Sequence, residues 1–477
     1  MYLGRSTLIL LAAAALAACG PGPAQQPTAA TGAPGAPTAA ATQAPASGAP
    51  TAAPSQAPAP TAAPTGVPTA QPSPTALPKP TATAIPPTQP SPATQPPAAS
   101  GDELLFLRKG ALVAFDVRSR KERQIADRVV DFVPSPDRQT IALVRDTGKA
   151  EVDLWLVRRD GSGLKQLTRD SSGLIEATPA WSPDGAALAY AASASSDLYA
   201  RTWPEWSSWC DASEVHVLDI TAGADQSFGP GCDPAISPDG KRIAYATPPS
   251  ARAEGENEHN AANAIRLINR QGKNGWSFAA ADGSANGYTG KAGMLVYAPA
   301  WSPDGKQIVY HRFVGYRALV DIGLSEIGGS LEGRGQPLSG GAGWLLPAQF
   351  APDGRALAIV ENNYSDARGF GGYDNWKVAV LRLEGSHQVV LPEATLDAVG
   401  QVAGELPRAQ AAAWSPDGGA LAVLLPPGWS AGLSPNEPTD AGEKPGEIWR
   451  WRPGAQPGEK LVAGVDFGSP LAWLPAA

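Results

Sequence analysis

Three thiols, four imidazoles and one G-x-S-x-G string are the groups in this 477-residue chain that chemistry would reach for first. The cysteines are Cys19, Cys210 and Cys232; the histidines are His216, His259, His311 and His387. No histidine stands at ligand spacing from a cysteine, and no D-x-D-x-D-G calcium loop is present, so no metal site is expected. His259 falls in Glu-Gly-Glu-Asn-Glu-His-Asn, which reads as a solvated acidic loop. Gly428-Trp429-Ser430-Ala431-Gly432 matches a nucleophile elbow as a string. An elbow needs a helix behind it and a histidine downstream. Here the chain continues into proline-rich sequence, and no histidine follows His387. The sequence therefore marks no catalytic, metal-binding or cofactor-binding residue, and no cofactor is expected.

Cys19 belongs to a different chemistry. Arg5 precedes an apolar run from Leu8 to Ala18, too short for a permanent membrane span and of the right length for a signal segment. Leu16-Ala17-Ala18-Cys19-Gly20 resembles the lipobox of bacterial lipoprotein signals. The resemblance implies a signal peptide over 1–18, cleavage before Cys19, diacylation of its thiol and acylation of the new amine. Two or three acyl chains suffice for stable membrane attachment. Residues 19–100 then form a linker. Between Pro21 and Ser100 it is almost all Ala, Pro, Thr, Gln, Gly and Ser, with Lys79 the only charge. Such a segment has nothing large to bury and is expected to be a disordered, polyproline-like tether. The expected location is extracytoplasmic, lipid-anchored to the bacterial cell membrane. In an oxidising compartment, Cys210 and Cys232 are expected to form a disulfide.

The elements that must position everything else are announced by a repeat. Pro-Asp steps at Asp137, Asp184, Asp239, Asp304, Asp353 and Asp417 lie 47 to 65 residues apart, each between short apolar runs. Proline suits the second position of a type I turn, aspartate the third, and glycine the left-handed position that follows. Each copy is thus a hairpin, and its aspartate is structural. A second strand pair follows most copies, as in Glu151–Thr168 around Asp160-Gly161. Hairpin after hairpin at this period is a β-propeller of four-stranded blades. The pattern Trp-Ser-Pro-Asp-Gly, with its following apolar strand, resembles the TolB-type, WD40-like propeller repeats of bacterial exported proteins. The resemblance covers most of 129–477 and implies an all-β domain over 101–477. Trp473 stands in the slot of Trp181, Trp301 and Trp414, and 103–126 supplies three strands with no innermost partner. Joining the two gives a composite closing blade and seven blades, with six as the alternative; TolB has six. The α/β domain that precedes the TolB propeller is not seen.

Function is expected in the loops. Long insertions between second and third strands span 193–213, 248–263, 361–375 and 426–446, and in a propeller these leave on one face. The first brings Arg201, Trp203, Trp206 and Trp209; the third brings Tyr364, Phe370 and Tyr373. Aromatic and arginine side chains together have the composition of a binding face. The alternative is that these rings plug the ring and cover core. A protein or peptide is the first expected partner, a carbohydrate or cell-wall glycan stacked on tryptophan the second, and a lyase or hydrolase site at the propeller centre the third. The formal charge of −8, with no basic stripe, argues against nucleic acid.

Overall fold

Each Ser-Pro-Asp-Gly step folds as a tight hairpin. The computed structural model describes residues 101–148, 152–168, 173–196, 203–249, 263–280, 295–313, 320–328, 336–340, 344–362, 371–383, 401–430 and 439–476, all within the unit Pro90–Ala477. At Ser182-Pro183-Asp184-Gly185, the Gly185 N–H donates to Ser182 O at 2.9 Å, and Gly185 takes a φ of +69°. Ser182 Oγ donates to Asp184 Oδ1 at 2.5 Å and accepts the Ala187 N–H at 2.8 Å. Asp184 Oδ1 also accepts the Ala186 N–H at 3.0 Å. The same network recurs at Ser135–Asp137, Ser237–Asp239, Ser302–Asp304 and Ser415–Asp417. The serine hydroxyl is the main reason these five carboxyls titrate below the usual range. In the fifth copy along the chain Ala351 replaces the serine, and of this network Asp353 retains the Arg355 N–H at 2.9 Å.

The repeat also binds each blade to the one before it. A Cβ on Gly240 would lie 3.4 Å from Pro183 of the preceding turn, and Gly305, Gly354 and Gly418 face Pro238, Pro303 and Pro352 in the same way. Trp181 Nε1 donates to Val133 O at 2.9 Å, Trp301 Nε1 to Ala235 O and Trp414 Nε1 to Gln349 O, both at 3.1 Å. The tryptophan of Trp-Ser-Pro-Asp-Gly is thus a staple between innermost strands.

Among the described residues, the strands fall into seven antiparallel meanders of four, running innermost to outermost. The first is composite: Ala472–Leu474 pairs with Glu103–Arg108, which continues through Ala111–Asp116 to Glu122–Ala126. The second (129–166) and third (175–230) share one sheet through a single parallel bridge, Val152 to Ile175. The fourth to seventh cover 232–280, 295–340, 344–407 and 411–465. The sixth has its innermost strand broken into Trp344–Leu345 and Gln349–Phe350, where Pro347 has no N–H for a ladder.

Apolar side chains on both faces of each sheet meet those of the neighbours. Leu105 and Leu112 of the first blade join Phe132, Ile141 and Leu143 of the second. Val215 and Val217 of the third join Ile243 and Ile268 of the fourth; Val360 and Val378 of the sixth join Leu421 and Val423 of the seventh. Leu104 and Phe106 meet Ile448 and Leu461, which joins seventh to first. The ring closes on buried hydrocarbon, and the fold is a β-propeller.

Candidate binding face

In a four-stranded meander, the second-to-third connections and the links between blades leave on the side opposite the Ser-Pro-Asp-Gly turns. The one α-helix among the described residues, α1 (Trp203–Asp211), lies in such a connection, that of the third blade. It reaches across its neighbours. Cys210 is disulfide-bonded to Cys232 in the innermost strand of the fourth blade. Trp206 Nε1 donates to Asp233 Oδ2 at 2.9 Å, and its ring lies 5.5 Å from that of Tyr297 in the fifth blade. Tyr297 stacks on Trp344 of the sixth blade at 4.2 Å. A continuous row of rings and one covalent bond thus runs from the third blade to the sixth.

This row corrects the expectation for the tryptophans. Trp206 is 3% exposed and Trp209 2%. Residues three apart in a helix share a face, and the face holding these two packs inward. They are core, not contact surface. Trp203 opens α1, but its side chain, Arg201 and Cys19, the residue expected to be lipidated, lie outside the described residues.

Tyr373 requires the same correction: it is fully buried, and burial lifts its phenol well above the ordinary range. It sits in a short 3-10 helix, Gly372–Asn375, and meets Phe467 edge-on at 5.0 Å. Its N–H donates to Gly442 O at 3.1 Å, and a Cβ on Gly372 would stand 1.9 Å from that same oxygen, so only glycine fits there. Tyr364 and Phe370 lie outside the described residues. Next to Tyr373, Asp374 Oδ1 accepts Arg408 Nε at 2.8 Å, and its other oxygen accepts the Thr439 N–H at 2.8 Å. The ion pair is 5% exposed on both sides. Asp374 thereby clasps the connections of the sixth and seventh blades together.

Asp233 is the second organiser. Besides Trp206 it accepts the Ala298 N–H of the next blade at 3.2 Å. Surrounding protein pushes its carboxyl pKa up, although part of its surface still meets solvent. Asp233 has a φ of +50°, and Thr178 and Ala298 occupy the same position with +53° and +47°. All three precede proline, which disfavours any helical backbone at the residue before it. Each sits at a bulge in its innermost strand, and such conformations cost about 1–3 kcal/mol each. The fold retains them in three successive blades. The signal is present in the sequence as the proline of Pro179-Ala180-Trp181, Pro234-Ala235-Ile236 and Pro299-Ala300-Trp301.

A cavity of about 300 Å³ opens on the same side of the second blade, between its second and third strands and the link entering it. Arg128, Arg145, Asp146, Asp153, Trp155 and Gln166 line it. Arg145 is held by the Asp127 carboxylate and lies over the Trp155 ring at 4.6 Å; Gln166 Nε2 donates to Asp153 Oδ2 at 2.7 Å. Sequence reasoning missed this site, because its residues belong to no insertion and no motif.

The described imidazoles are engaged or buried. His216 Nδ1 meets Asp225 Oδ2 at 2.9 Å, and this bond is the main reason its pKa is raised. His311 is fully buried against Tyr297, and desolvation pushes its pKa down to about 3, leaving it neutral. Among the described residues, no three His, Cys, Asp or Glu side chains are grouped to hold a metal ion.

No family model matches this sequence, and no curated protein matches it. Solved structures similar to it include the tricorn protease, at 12% identity and a TM-score of 0.45, over 74% of this chain and 32% of that one. TolB from Acinetobacter baumannii is 15% identical with a TM-score of 0.38, over 79% of this chain and 80% of its own. Oligogalacturonate lyase from Vibrio parahaemolyticus is 13% identical with a TM-score of 0.44, over 66% and 80%. The chain spans about a third of the tricorn protease chain. The propeller assignment rests on the strand order and the closed ring of cores.

Proposed function

We propose that this chain is a membrane-anchored, extracytoplasmic binding module, without catalytic activity of its own, that holds a protein or peptide partner on its connection face. One observation carries the reading. The connections of the third and sixth blades are fastened to neighbouring blades by the Cys210–Cys232 bond and the Asp374–Arg408–Thr439 clasp, neither of which belongs to the repeat. Rigid, preorganised surfaces bind at lower entropic cost than mobile ones. Asp233, Asp374 and His216 are each tied up in structural hydrogen bonds, which suits recognition better than proton transfer. Anchorage through Cys19 and the 19–100 tether would hold this face near the membrane that carries it.

The cavity of the second blade favours a second reading. Its volume is at the lower end of small-ligand sites, and its indole, guanidinium, carboxylate and amide groups suit a sugar-sized polar ligand. Probing the full chain in detergent against peptide and glycan arrays separates the two. Peptide binding with glycans silent supports the first; glycan binding lost on Gln166→Ala supports the second. Turnover of any arrayed ligand would overturn both. Replacing Cys19 with Ala should move the chain from the membrane fraction to the soluble one, and unchanged fractionation would end the anchorage reading.

A further inference from the structure

We propose that the outermost strand of the fourth blade, Trp276–Ala280, is a docking edge for an extended acidic peptide. This surface is separate from the connection face, and its fate does not depend on the reading above.

An outermost strand exposes a row of unpaired N–H and C=O groups, and proteins ordinarily blunt such rows with charge or proline. Six of the seven outermost strands described here follow that rule. Glu122–Ala126, Lys165–Gln166, Asp225–Pro230, Gln401–Pro407 and Glu459–Val465 all carry charge, and Gln336–Gly340 carries Pro337. Trp276–Ala280, sequence Trp-Ser-Phe-Ala-Ala, carries neither. Its Trp276 is 37% exposed, one of two large apolar side chains so exposed among the described residues.

The surroundings of this edge are one-signed. From 264 to 280 the chain has Arg266, Arg270 and Lys273 and no acidic residue, although the whole protein is acidic. Arg242, two strands in from the edge, lies over the Trp276 ring at 5.9 Å. Arg266 and Lys273 form no salt bridge with a described residue, whereas Arg270 and Arg242 act electrostatically on the turn carboxylates Asp184 and Asp239. The acidic strand beside the Asn269–Gly275 turn does not neutralise Arg266 and Lys273: its Asp225 is taken by His216 and Tyr190.

An uncharged strand edge, an exposed indole and two cations, Arg266 and Lys273, that meet no described carboxylate together fit one occupant. It is an extended segment that adds a fifth strand by main-chain hydrogen bonds and places carboxylates against Arg266 and Lys273. Five residues of edge span about 17 Å, enough to register a segment of similar length. A lipid headgroup layer would satisfy the cations but not the row of backbone groups.

The test uses the full chain in detergent and a fluorescent peptide alternating glutamate and valine over seven residues. Saturable binding that weakens with salt is expected, with slowed amide hydrogen exchange at 276–280. Reversing charge with Arg266→Glu and Lys273→Glu should weaken binding by about tenfold or more. Trp276→Glu, which adds the missing edge charge, should weaken it as well; all these side chains are exposed, and circular dichroism checks that the variants remain folded. Equal binding of the lysine–valine counterpart, protection elsewhere on the chain, or charge-reversed variants within twofold of the parent would overturn the proposal. So would Arg266-dependent binding to phosphatidylserine vesicles with no binding of the acidic peptide.

Discussion

The two faces of this propeller are held together by different means. On the turn face, the same few bonds recur blade after blade: serine to aspartate, glycine against the preceding proline, indole to the preceding innermost strand. On the connection face, each fastening occurs once: a disulfide, a carboxylate reaching two blades, a buried ion pair with a threonine. Repetition spreads stability over many equivalent weak contacts, whereas single fastenings concentrate it. Damage to one face should therefore be graded, and damage to the other abrupt.

The largest effect should come from the clasp. Asp374→Ala leaves Arg408 buried without its carboxylate, and an unfolding titration should show a loss of about 3–5 kcal/mol. A loss below about 1 kcal/mol would mean that the connections of the sixth and seventh blades are held by packing alone. Next comes the disulfide. Replacing both Cys210 and Cys232 with alanine should cost about 3 kcal/mol for a bond across 22 positions, read as a drop in melting temperature matched by the parent under reductant.

On the turn face, Ser302→Ala should cost only about 1 kcal/mol, because it removes one hydroxyl from a partly exposed network. The converse change, Ala351→Ser, should stabilise by a similar or smaller amount, since Asp353 and the backbone already have the geometry of the other turns. If Ser302→Ala proves as damaging as Asp374→Ala, the contrast between the faces fails.

Titration gives the smallest and most discriminating readout. The turn aspartates have lowered folded pKa values, so their contribution is present above the unfolded value of about 3.9 and fades as pH falls through the folded values. His216 has a raised value, so its contribution is complete below about pH 6.5 and is lost as pH rises through its folded pKa. A melting temperature that declines slightly from mildly acidic to mildly alkaline pH, with the decline abolished in His216→Gln, would place that part of the profile in the third blade and not in the turns.

Most of the fold was legible in the sequence for the reason that makes it graded. A contact needed in every blade leaves the same residues at the same offsets, so Trp181, Ser182, Asp184 and Gly185 could be read through their later copies. The candidate site was not legible in this way. Asp233 meets Trp206 across 27 positions and Asp374 meets Arg408 across 34, each once, with nothing in the pattern to announce them. The aromatics misled because exposed recognition surfaces and buried plugs draw on the same residue types. Their three-residue spacing was the better signal: it is the period of a helix face, and in a β-rich ring a short helix buries its apolar side. The charge asymmetry of 264–280 was also present in the letters, but its meaning depended on knowing which strand lay at the rim.

The composite first sheet sets a schedule for folding. Glu103–Arg108 emerges near the start of the domain, yet its partner Ala472–Leu474 is made last, and Leu107 N–H must find Ser469 Oγ across 362 positions. Until then the ring is an open arc with two raw sheet edges at its ends. Closure over so long a loop is slow compared with the formation of individual hairpins. A chain synthesised in order would therefore remain a string of nearly finished blades, sticky at both ends, and become a single cooperative body only at the final stroke.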